Sequence, residues 1–299
     1  MSWIDRAVSV TLPAVPRPVV RYFSRRYIAG ETLDDALAIV RDLARRGAMA
    51  TLDILGEFIE EMEQARANTE QYLELVNRIR GEALPDAHVS VKLTALGLTL
   101  DAGACLQHMR RLVGAAAAAG NFVRIDMEDS PHTTATLAMY RRLREEYPHS
   151  VGAVLQSRLR RTLADVDALT ERPANFRLCK GIYLEPHAIA YTDPAIIRDN
   201  FTLALETMFE RGAYVGIATH DERLVWEALR LIRKFGLGSD RYEFQMLLGV
   251  EEDLRQILID AGHRLRVYVP YGEHWYPYSV RRLRENPQIA GYAFKAMLK

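Results

Sequence analysis

Short apolar runs alternate with longer amphipathic stretches along most of the chain. Eight runs rich in aliphatic and aromatic residues have the length of buried β-strands. They are predicted at Ala50–Leu55, His88–Leu93, Phe122–Met127, Val151–Gln156, Phe176–Tyr183, Ala213–Thr219, Tyr242–Leu247 and Leu265–Val269. Helical periodicity lies between and after them, at 58–80, 101–119, 132–146, 157–170, 195–211, 222–235, 251–262 and 277–285. Eight strand–helix units in about 250 residues favour an α/β fold, a closed (β/α)8 TIM barrel.

The first 50 residues are predicted to form a helical arm ahead of the barrel. Thr32 is placed to cap an amphipathic helix that continues to about Gly47. A basic stretch precedes it between residues 17 and 26, and we interpret it as a solvated face, with contact to a membrane surface as the alternative. The predicted domains are therefore an N-terminal arm at 1–50 and a barrel at 51–299.

Composition narrows the class of protein. The 39 basic residues balance the 39 acidic ones, so charge gives no support for a nucleic-acid partner, and none is expected. Cys105 and Cys179 form no spaced framework, which favours a reducing compartment. No apolar run approaches the roughly 20 residues that span a bilayer, and Asp5 and Arg6 interrupt any leader-like segment. We expect a cytoplasmic protein, with peripheral attachment at the inner face of the membrane as the alternative.

Polar side chains lie at or near the end of every predicted strand. They are Asp53 and Glu57, Lys92, Asp126, Gln156, Lys180, Thr219 and His220, Gln245, and Tyr268. Burying a polar or charged group without a partner or water costs on the order of several kcal/mol of folding free energy. Because barrel enzymes hold their active sites where the strands end, these residues predict a functional pocket.

The segment after the last strand carries aromatic and charged residues close together. Its predicted helix places Arg281 and Arg282 on neighbouring positions, with Tyr278 and Glu285 about one turn to either side. Two adjacent guanidinium groups offer planar forks of donors that suit a carboxylate or a phosphate. This helix is therefore predicted to bind an anionic ligand.

A nucleotide would have to be held without the usual glycine-rich motifs. Gly236 and Gly238 begin a GxG, but Arg241 stands where the third glycine is needed, and no Walker motif is present. The segment RLCKGIY at 177–183 brings two cations to Gly181, where a backbone can approach a ligand closely. A simple bend in a strand is the alternative.

Other classes of function also fit some of these residues. Lys92 or Lys180 could form a Schiff base, as in aldolases. Asp126 and Glu128 could act as a glycosidase pair, although two carboxylates so close on one strand are a weak match. A binding barrel without catalysis fits a highly charged pocket poorly. His220 has no partner at HxH or HExxH spacing, so no metal site is predicted.

The chain resembles the proline dehydrogenase family, flavin-dependent barrel enzymes found alone or as a domain of a bifunctional proline-utilisation protein. The matching stretches are TLDILGE (51–57), VSVKLTALG (89–97), VRIDMED (123–129), VLQSRLRR (154–161), RLCKGIYLE (177–185), IATHD (217–221), YEFQMLLG (242–249) and RVYVPYG through RRLRENP (266–287). The resemblance implies a distorted barrel whose last helix lies over the strand ends. It also implies oxidation of L-proline to Δ1-pyrroline-5-carboxylate, with FAD as hydride acceptor and a quinone as electron acceptor, the first step of proline degradation to glutamate.

The resemblance also implies roles for individual residues. Lys92, Arg281 and Arg282 match the groups that bind the proline carboxylate, and Glu57 matches the partner of Arg281 in an ion pair that closes the site. The remaining substrate-pocket positions are Asp126, Tyr183, Leu247, Tyr268, Tyr278 and Glu285. Positions matching FAD contacts are Asp126, Met127, Gln156, Arg177, Lys180, Gly181, Ile182, Thr192, Thr219, His220, Asp221 and Gln245. The chain departs from the family pattern at Leu184, where an aromatic is common, and at Asp221, where asparagine is common.

Overall fold

Eight parallel strands close into a barrel in the order in which they follow one another along the chain. The structure, a computed structural model, describes residues 20–21, 24–56, 59–84, 86–276 and 278–280. The strands are β1 (Met49–Ile54), β2 (Ala87–Val91), β3 (Val123–Ile125), β4 (Val151–Gln156), β5 (Asn175–Cys179), β6 (Tyr214–Ala218), β7 (Tyr242–Leu247) and β8 (Leu265–Tyr271). β8 pairs with β1, Val269 opposite Leu52, and this pairing closes the barrel.

Helices follow the strands in alternation and confirm the predicted (β/α)8 barrel. They are α1 (Leu33–Arg45), α2 (Met62–Gly81), α3 (Ala102–Ala118), α4 (Ser130–Glu146), α5 (Thr162–Leu169), α6 (Pro194–Glu210), α7 (Glu222–Phe235) and α8 (Glu252–Asp260). No described helix combines the length and apolar character of a bilayer span. The division into an arm at 1–50 and a barrel at 51–299 stays a prediction.

The helix before the barrel begins where its capping residue predicts. The Thr32 hydroxyl accepts a hydrogen bond from the Asp35 amide at 3.2 Å, and the Asp35 carboxylate accepts from the Thr32 amide at 3.1 Å. This reciprocal pair satisfies two amides that the first turn would otherwise leave without partners. The buried residues Leu37 and Val40 then pack the helix into the core cluster that surrounds the barrel.

The fifth strand is shorter than predicted. It ends at Cys179 rather than at Tyr183, because Gly181 has a φ of +91°, which a continuing strand cannot adopt. Helix α5, which precedes this strand, begins at Thr162 rather than at the predicted residue 157. The Thr162 hydroxyl donates to the Gln156 carbonyl at 2.5 Å and fixes the intervening turn. Both differences add loop at the end of the barrel where the strands finish.

The barrel interior is polar, whereas the layer between sheet and helices is apolar. Ser90, Arg177 and Tyr268 lie on β2, β5 and β8, and Asp126 directly follows β3, yet these side chains form one hydrogen-bonded network across the interior. Barrels of this kind usually fill that space with branched aliphatic side chains. A charged interior that reaches the strand ends suits a binding site more than a packing core.

Glycines make room for the larger interior side chains. A Cβ on Gly216 would lie 2.3 Å from the Gln245 side-chain nitrogen, and one on Gly152 would lie 2.4 Å from Arg124 Nη1. Arg124 is almost fully buried and donates to the carbonyls of Ala153 and Asn175 at 3.0 and 2.9 Å. The small residues on β4 and β6 therefore allow long polar side chains to cross the interior.

Candidate functional site

A cavity of about 490 Å³ opens at the C-terminal ends of the strands. Every residue that the family resemblance assigns to the site and the structure describes lines it, except Thr192. These are Lys92, Asp126, Met127, Gln156, Arg177, Lys180, Gly181, Ile182, Tyr183, Thr219, His220, Asp221, Gln245, Leu247, Tyr268 and Tyr278. Residues predicted from separate stretches of sequence thus come together in one place.

One end of the cavity is built around Lys92. Its ammonium group donates to Asp53 at 2.6 Å and to the Tyr268 hydroxyl at 3.3 Å, and it lies 3.9 Å from Asp126. Asp53 is fully buried, and burial raises its pKa while Lys92 partly offsets that rise. The Tyr72 hydroxyl, from α2, lies 3.4 Å from the other Asp53 oxygen. Asp53 therefore holds Lys92 in place from below the cavity.

Asp126 gathers the groups at the centre of the floor. One of its oxygens accepts from Arg177 and from Ser90, each at 2.6 Å, and the other accepts from the Tyr268 hydroxyl at 3.0 Å. Burial raises the pKa of Tyr268 well above its usual value, so this hydroxyl keeps its proton and donates. The Arg177 guanidinium also lies over the Tyr268 ring, 5.4 Å from its centroid. These contacts orient Arg177 and Tyr268 relative to each other.

Arg177 has one nitrogen left for a ligand. Its Nε donates to Gln245 at 2.5 Å and its Nη1 donates to Asp126. Its Nη2 is buried and has no hydrogen-bond partner among the described residues. A buried donor in this state costs about 1–3 kcal/mol. An acceptor atom on a bound molecule would remove that cost.

The loop after β5 forms a second wall with space for a close-lying ligand. Gln156 donates to the Glu128 carbonyl at 2.8 Å, and its oxygen lies 2.5 Å from where a Cβ on Gly181 would be. Only glycine fits that space at a φ of +91°. The backbone here therefore closely approaches the cavity, as the sequence predicts for Gly181.

A cluster of charges closes the far end of this wall. Asp221 accepts from Lys180 at 3.1 Å and from Arg198 at 2.7 Å. Burial alone would raise the pKa of Asp221, but these hydrogen bonds hold it below its usual value. The nearby His220 ring accepts from the Leu247 amide at 2.8 Å. Arg198 was not singled out from the sequence, because it lies on α6 rather than on a strand.

The apolar part of the lining contains residues that the sequence did not single out. They are Val154, Cys179, Ala218 and Met246. The alternation of strands offers a signal for two of them, since Val154 is two residues from Gln156 and Cys179 is two residues from Arg177, on the same faces. Burial raises the pKa of the Cys179 thiol to about 11, so it is an apolar wall rather than a nucleophile.

Some predicted positions lie elsewhere or outside the described residues. Thr192 is exposed on the segment before α6 and does not line the cavity. The proposed carboxylate anchors Arg281 and Arg282, with Glu285 and the gate residue Glu57, lie outside the described residues.

A short helical segment at residues 278–280 is described. Tyr278 lines the cavity and is buried in a cluster with Ile28 and Leu55, against which Trp275 packs. This cluster joins the N-terminal segment, the residue after β1 and the helical segment at 278–280.

The glycosidase alternative loses its second carboxylate. Glu128 does not line the cavity; it accepts from the amide and the hydroxyl of Thr94 and is almost fully buried. Asp126 then has no carboxylate partner across the cavity among the described lining residues other than Asp221, which Lys180 and Arg198 occupy.

Comparison with known proteins agrees with this geometry. The family model described as "Proline dehydrogenase" matches residues 36–293. Proline dehydrogenase of Deinococcus radiodurans is 36% identical over 96% of this chain and 96% of its own length. Proline dehydrogenase 2 of Bacillus subtilis is 35% identical over 93% of this chain and 91% of its own.

A solved structure extends the likeness to three dimensions. It is proline utilization A (PutA) from Bdellovibrio bacteriovorus, inactivated by N-propargylglycine, with a TM-score of 0.84 and 27% identity. The match covers 89% of this chain and 33% of that one, so this chain spans about a third of the longer protein.

Proposed function

The chain belongs to the proline dehydrogenase family, and on that premise we propose that it oxidises L-proline to Δ1-pyrroline-5-carboxylate, with FAD as its cofactor and a quinone as its electron acceptor. This reaction would be the first step of proline degradation to glutamate. The observation that carries the proposal is the cavity lining, which includes the Lys92 cation and also Arg177, whose buried Nη2 has no hydrogen-bond partner among the described residues.

The substrate end of the cavity suits a small amino acid. Lys92 offers a cation to a carboxylate, and we assign Arg281 and Arg282 to the same carboxylate. Tyr268 and Tyr278 supply aromatic surface for a ring. We also assign Tyr183 and Leu247 to ring packing, Asp126 to orienting its neighbours, Glu285 to the pocket, and Glu57 to a gate with Arg281.

Several lining residues fit a flavin nucleotide. Arg177 presents a buried donor without a partner, and Gly181 leaves a space that a Cβ would fill. A flat, acceptor-rich ring system satisfies both requirements. When bound, FAD supplies the hydride acceptor. The other cavity residues that we assign to it are Asp126, Met127, Gln156, Lys180, Ile182, Thr219, His220, Asp221 and Gln245. Thr192 lies outside the cavity, and we do not assign it to the cofactor.

Hydride transfer from proline needs little general acid–base catalysis by the protein. A hydride leaves the ring carbon beside nitrogen, and the lone pair of a neutral amine forms the C=N bond, so the amine proton must be lost first. Cations around the carboxylate make the local field positive and favour the neutral amine. The residues mainly orient the substrate and exclude water. We expect the affinity for proline to depend on pH below the pKa of the free amine.

The Schiff-base alternative fits the structure less well. A lysine that attacks a carbonyl has to lose its proton, whereas Lys92 and Lys180 are each paired with a carboxylate, Asp53 and Asp221. Borohydride treatment with a carbonyl substrate tests this directly. We expect no added mass on either lysine.

A steady-state assay tests the proposed function. Purified protein is supplied with L-proline and a water-soluble quinone, and quinone reduction and imine formation are followed together. We expect both to require proline and to proceed in equal amounts, since each turnover moves two electrons. A folded, yellow preparation that reduces no quinone with proline would contradict the assignment of the acceptor.

The quinone acceptor also bears on location. Natural quinones dissolve in the bilayer, so we propose a cytoplasmic protein with peripheral contact at the inner face of the membrane. Arg21, Arg25 and Arg26 are exposed basic side chains on the N-terminal segment and suit an anionic surface. Flotation with anionic vesicles, but not with neutral ones, is the expected result.

A further inference from the structure

A chain of hydrogen bonds runs through the barrel interior from below the cavity to its floor. It begins at Arg266 on β8, passes through Glu243 and Gln245 on β7, and reaches Arg177 on β5. Glu243 is 1% exposed and does not line the cavity. Among its hydrogen-bond partners, Gln245 is the one that lines the cavity.

Glu243 accepts hydrogen bonds on both oxygens, two on each. Its Oε1 accepts from Arg266 at 2.7 Å and from Gln245 at 2.5 Å. Its Oε2 accepts from Arg266 at 3.0 Å and from the Tyr214 hydroxyl at 2.9 Å. Burial alone would raise the pKa of Glu243, but Arg266 and the other donors bring it to about 2. At neutral pH the group is therefore an ionised carboxylate that can only accept.

An acceptor in this position decides which way the Gln245 amide points. The NH2 group of Gln245 has to face Glu243, so its oxygen faces Arg177 and accepts from Nε at 2.5 Å. Arg177 has only donors, so the reversed amide would set two donors against each other. Gln245 accepts from Nε and Asp126 accepts from Nη1, and the buried Nη2 of this cavity-lining residue has no hydrogen-bond partner among the described residues.

We propose that Glu243 is a positioning residue for the cofactor site: it fixes the Gln245 amide, and through that amide it aims the Arg177 guanidinium at the flavin. This inference rests on the proposed function. Glu243 makes no contact with the cavity and acts only through the two side chains above it.

Two variants disturb the Gln245 amide in different ways. Glu243→Gln removes the negative charge from the group that accepts the Gln245 NH2 hydrogen bond, so the bond that holds the amide becomes weaker. Gly216→Ala leaves the ion pair with Arg266 intact but adds a Cβ 2.3 Å from the Gln245 nitrogen. Each variant is expected to weaken FAD binding about tenfold or more, the effect of losing one oriented hydrogen bond to a charged group.

Tyr214→Phe is the matched control. It removes a hydrogen bond from Oε2 of the same carboxylate and leaves the Oε1 bond to Gln245 in place. It is expected to lower the melting temperature while FAD binding stays within about twofold of wild type, since its effect is confined to stability. Two quantities are measured: the dissociation constant for FAD, by titrating FAD into protein from which the cofactor has been removed, and the melting temperature.

The outcomes separate the two proposals. If the wild-type chain binds no FAD, the proposed function fails, and this inference fails with it. If the wild type binds FAD and folded Glu243→Gln binds it equally tightly, the positioning role is wrong. If Glu243→Gln does not fold, the FAD affinity of Gly216→Ala is the test. An affinity equal to that of the wild type would show that the Gln245 amide has no such role.

Discussion

At the scale of single residues, Lys92 depends on a partner that is hidden from the cavity. The sequence marks both Lys92 and Asp53 as polar residues at strand ends, but it does not show that the two bond to each other. Asp53 does not line the cavity and lies 2.6 Å from the Lys92 ammonium group. The buried carboxylate therefore supports the proposed substrate site without lining the cavity.

Replacing Asp53 should impair the use of proline more than it impairs folding. We expect Asp53→Asn to lower kcat/KM for proline by about 10- to 100-fold, since a hydrogen bond between charged groups contributes about 1.5–3 kcal/mol. Tyr72→Phe is the control, because it removes only the weaker 3.4 Å contact to the same carboxylate. Equal kcat/KM in wild type and a folded Asp53→Asn protein would show that Lys92 needs no anchor.

At the scale of elements, the loop between β5 and α6 builds one wall of the site. It leaves the strand after Cys179 and turns at Gly181. Leu184 in this loop is 92% exposed, while Glu185 accepts from the amide and hydroxyl of Ser130 at the start of α4, at 2.7 and 2.6 Å. The loop is thus tied at one point and open to a ligand at another.

Alanine at position 181 should loosen cofactor binding. Gly181→Ala places a Cβ 2.5 Å from the Gln156 oxygen, so either the loop or Gln156 must shift. Gly120→Ala is a matched control, with a positive φ of +65° and nothing within 4 Å of its Cβ. Both should lose about 1 kcal/mol of unfolding free energy through backbone strain. Only Gly181→Ala should weaken FAD binding; equal affinities in the two variants would contradict this role.

The N-terminal segment packs against the helical segment at 278–280 through a small apolar cluster. Ile28 packs with Leu55 and Tyr278, and Tyr278 faces the cavity. Ile28→Ala should therefore raise KM for proline severalfold with little change in kcat, because the aromatic wall loses support. Val40→Ala on α1 serves as the control, since it also opens a core space but belongs to the main core cluster and not to the cluster that contains Tyr278. A lower melting temperature without a change in KM in both variants would argue against the link.

At the scale of the whole molecule, the outer layers of the barrel are more predictable than its interior. The bounds of β4 and β7 match the sequence prediction, because β4 is an apolar run that ends at Gln156 and β7 alternates apolar with polar residues. Glu243 was read only as part of a strand, since its partner Arg266 comes from another strand and pairing across strands leaves no local signal. The alternation places such a residue inside, but only the closed barrel brings its partners to it.

A charged interior ties the stability of the whole barrel to pH. The pKa of Glu243 is about 2 in the folded protein against an ordinary 4.5, so its contribution is present above 4.5 and is lost as pH falls towards 2. The shift corresponds to about 3 kcal/mol at neutral pH. In urea unfolding, the difference in unfolding free energy between wild type and Glu243→Gln should be smaller at about pH 3 than at about pH 7. A constant difference would place the effect elsewhere.

The most direct test of flavin-dependent proline oxidation is anaerobic addition of L-proline to the purified protein while its visible absorption is recorded. The arrangement of Lys92, Asp126 and Arg177 around one cavity predicts a yellow protein whose flavin band bleaches on adding proline and returns on adding a quinone. A folded protein that binds no FAD, or a flavin band that proline leaves unchanged, would contradict the account.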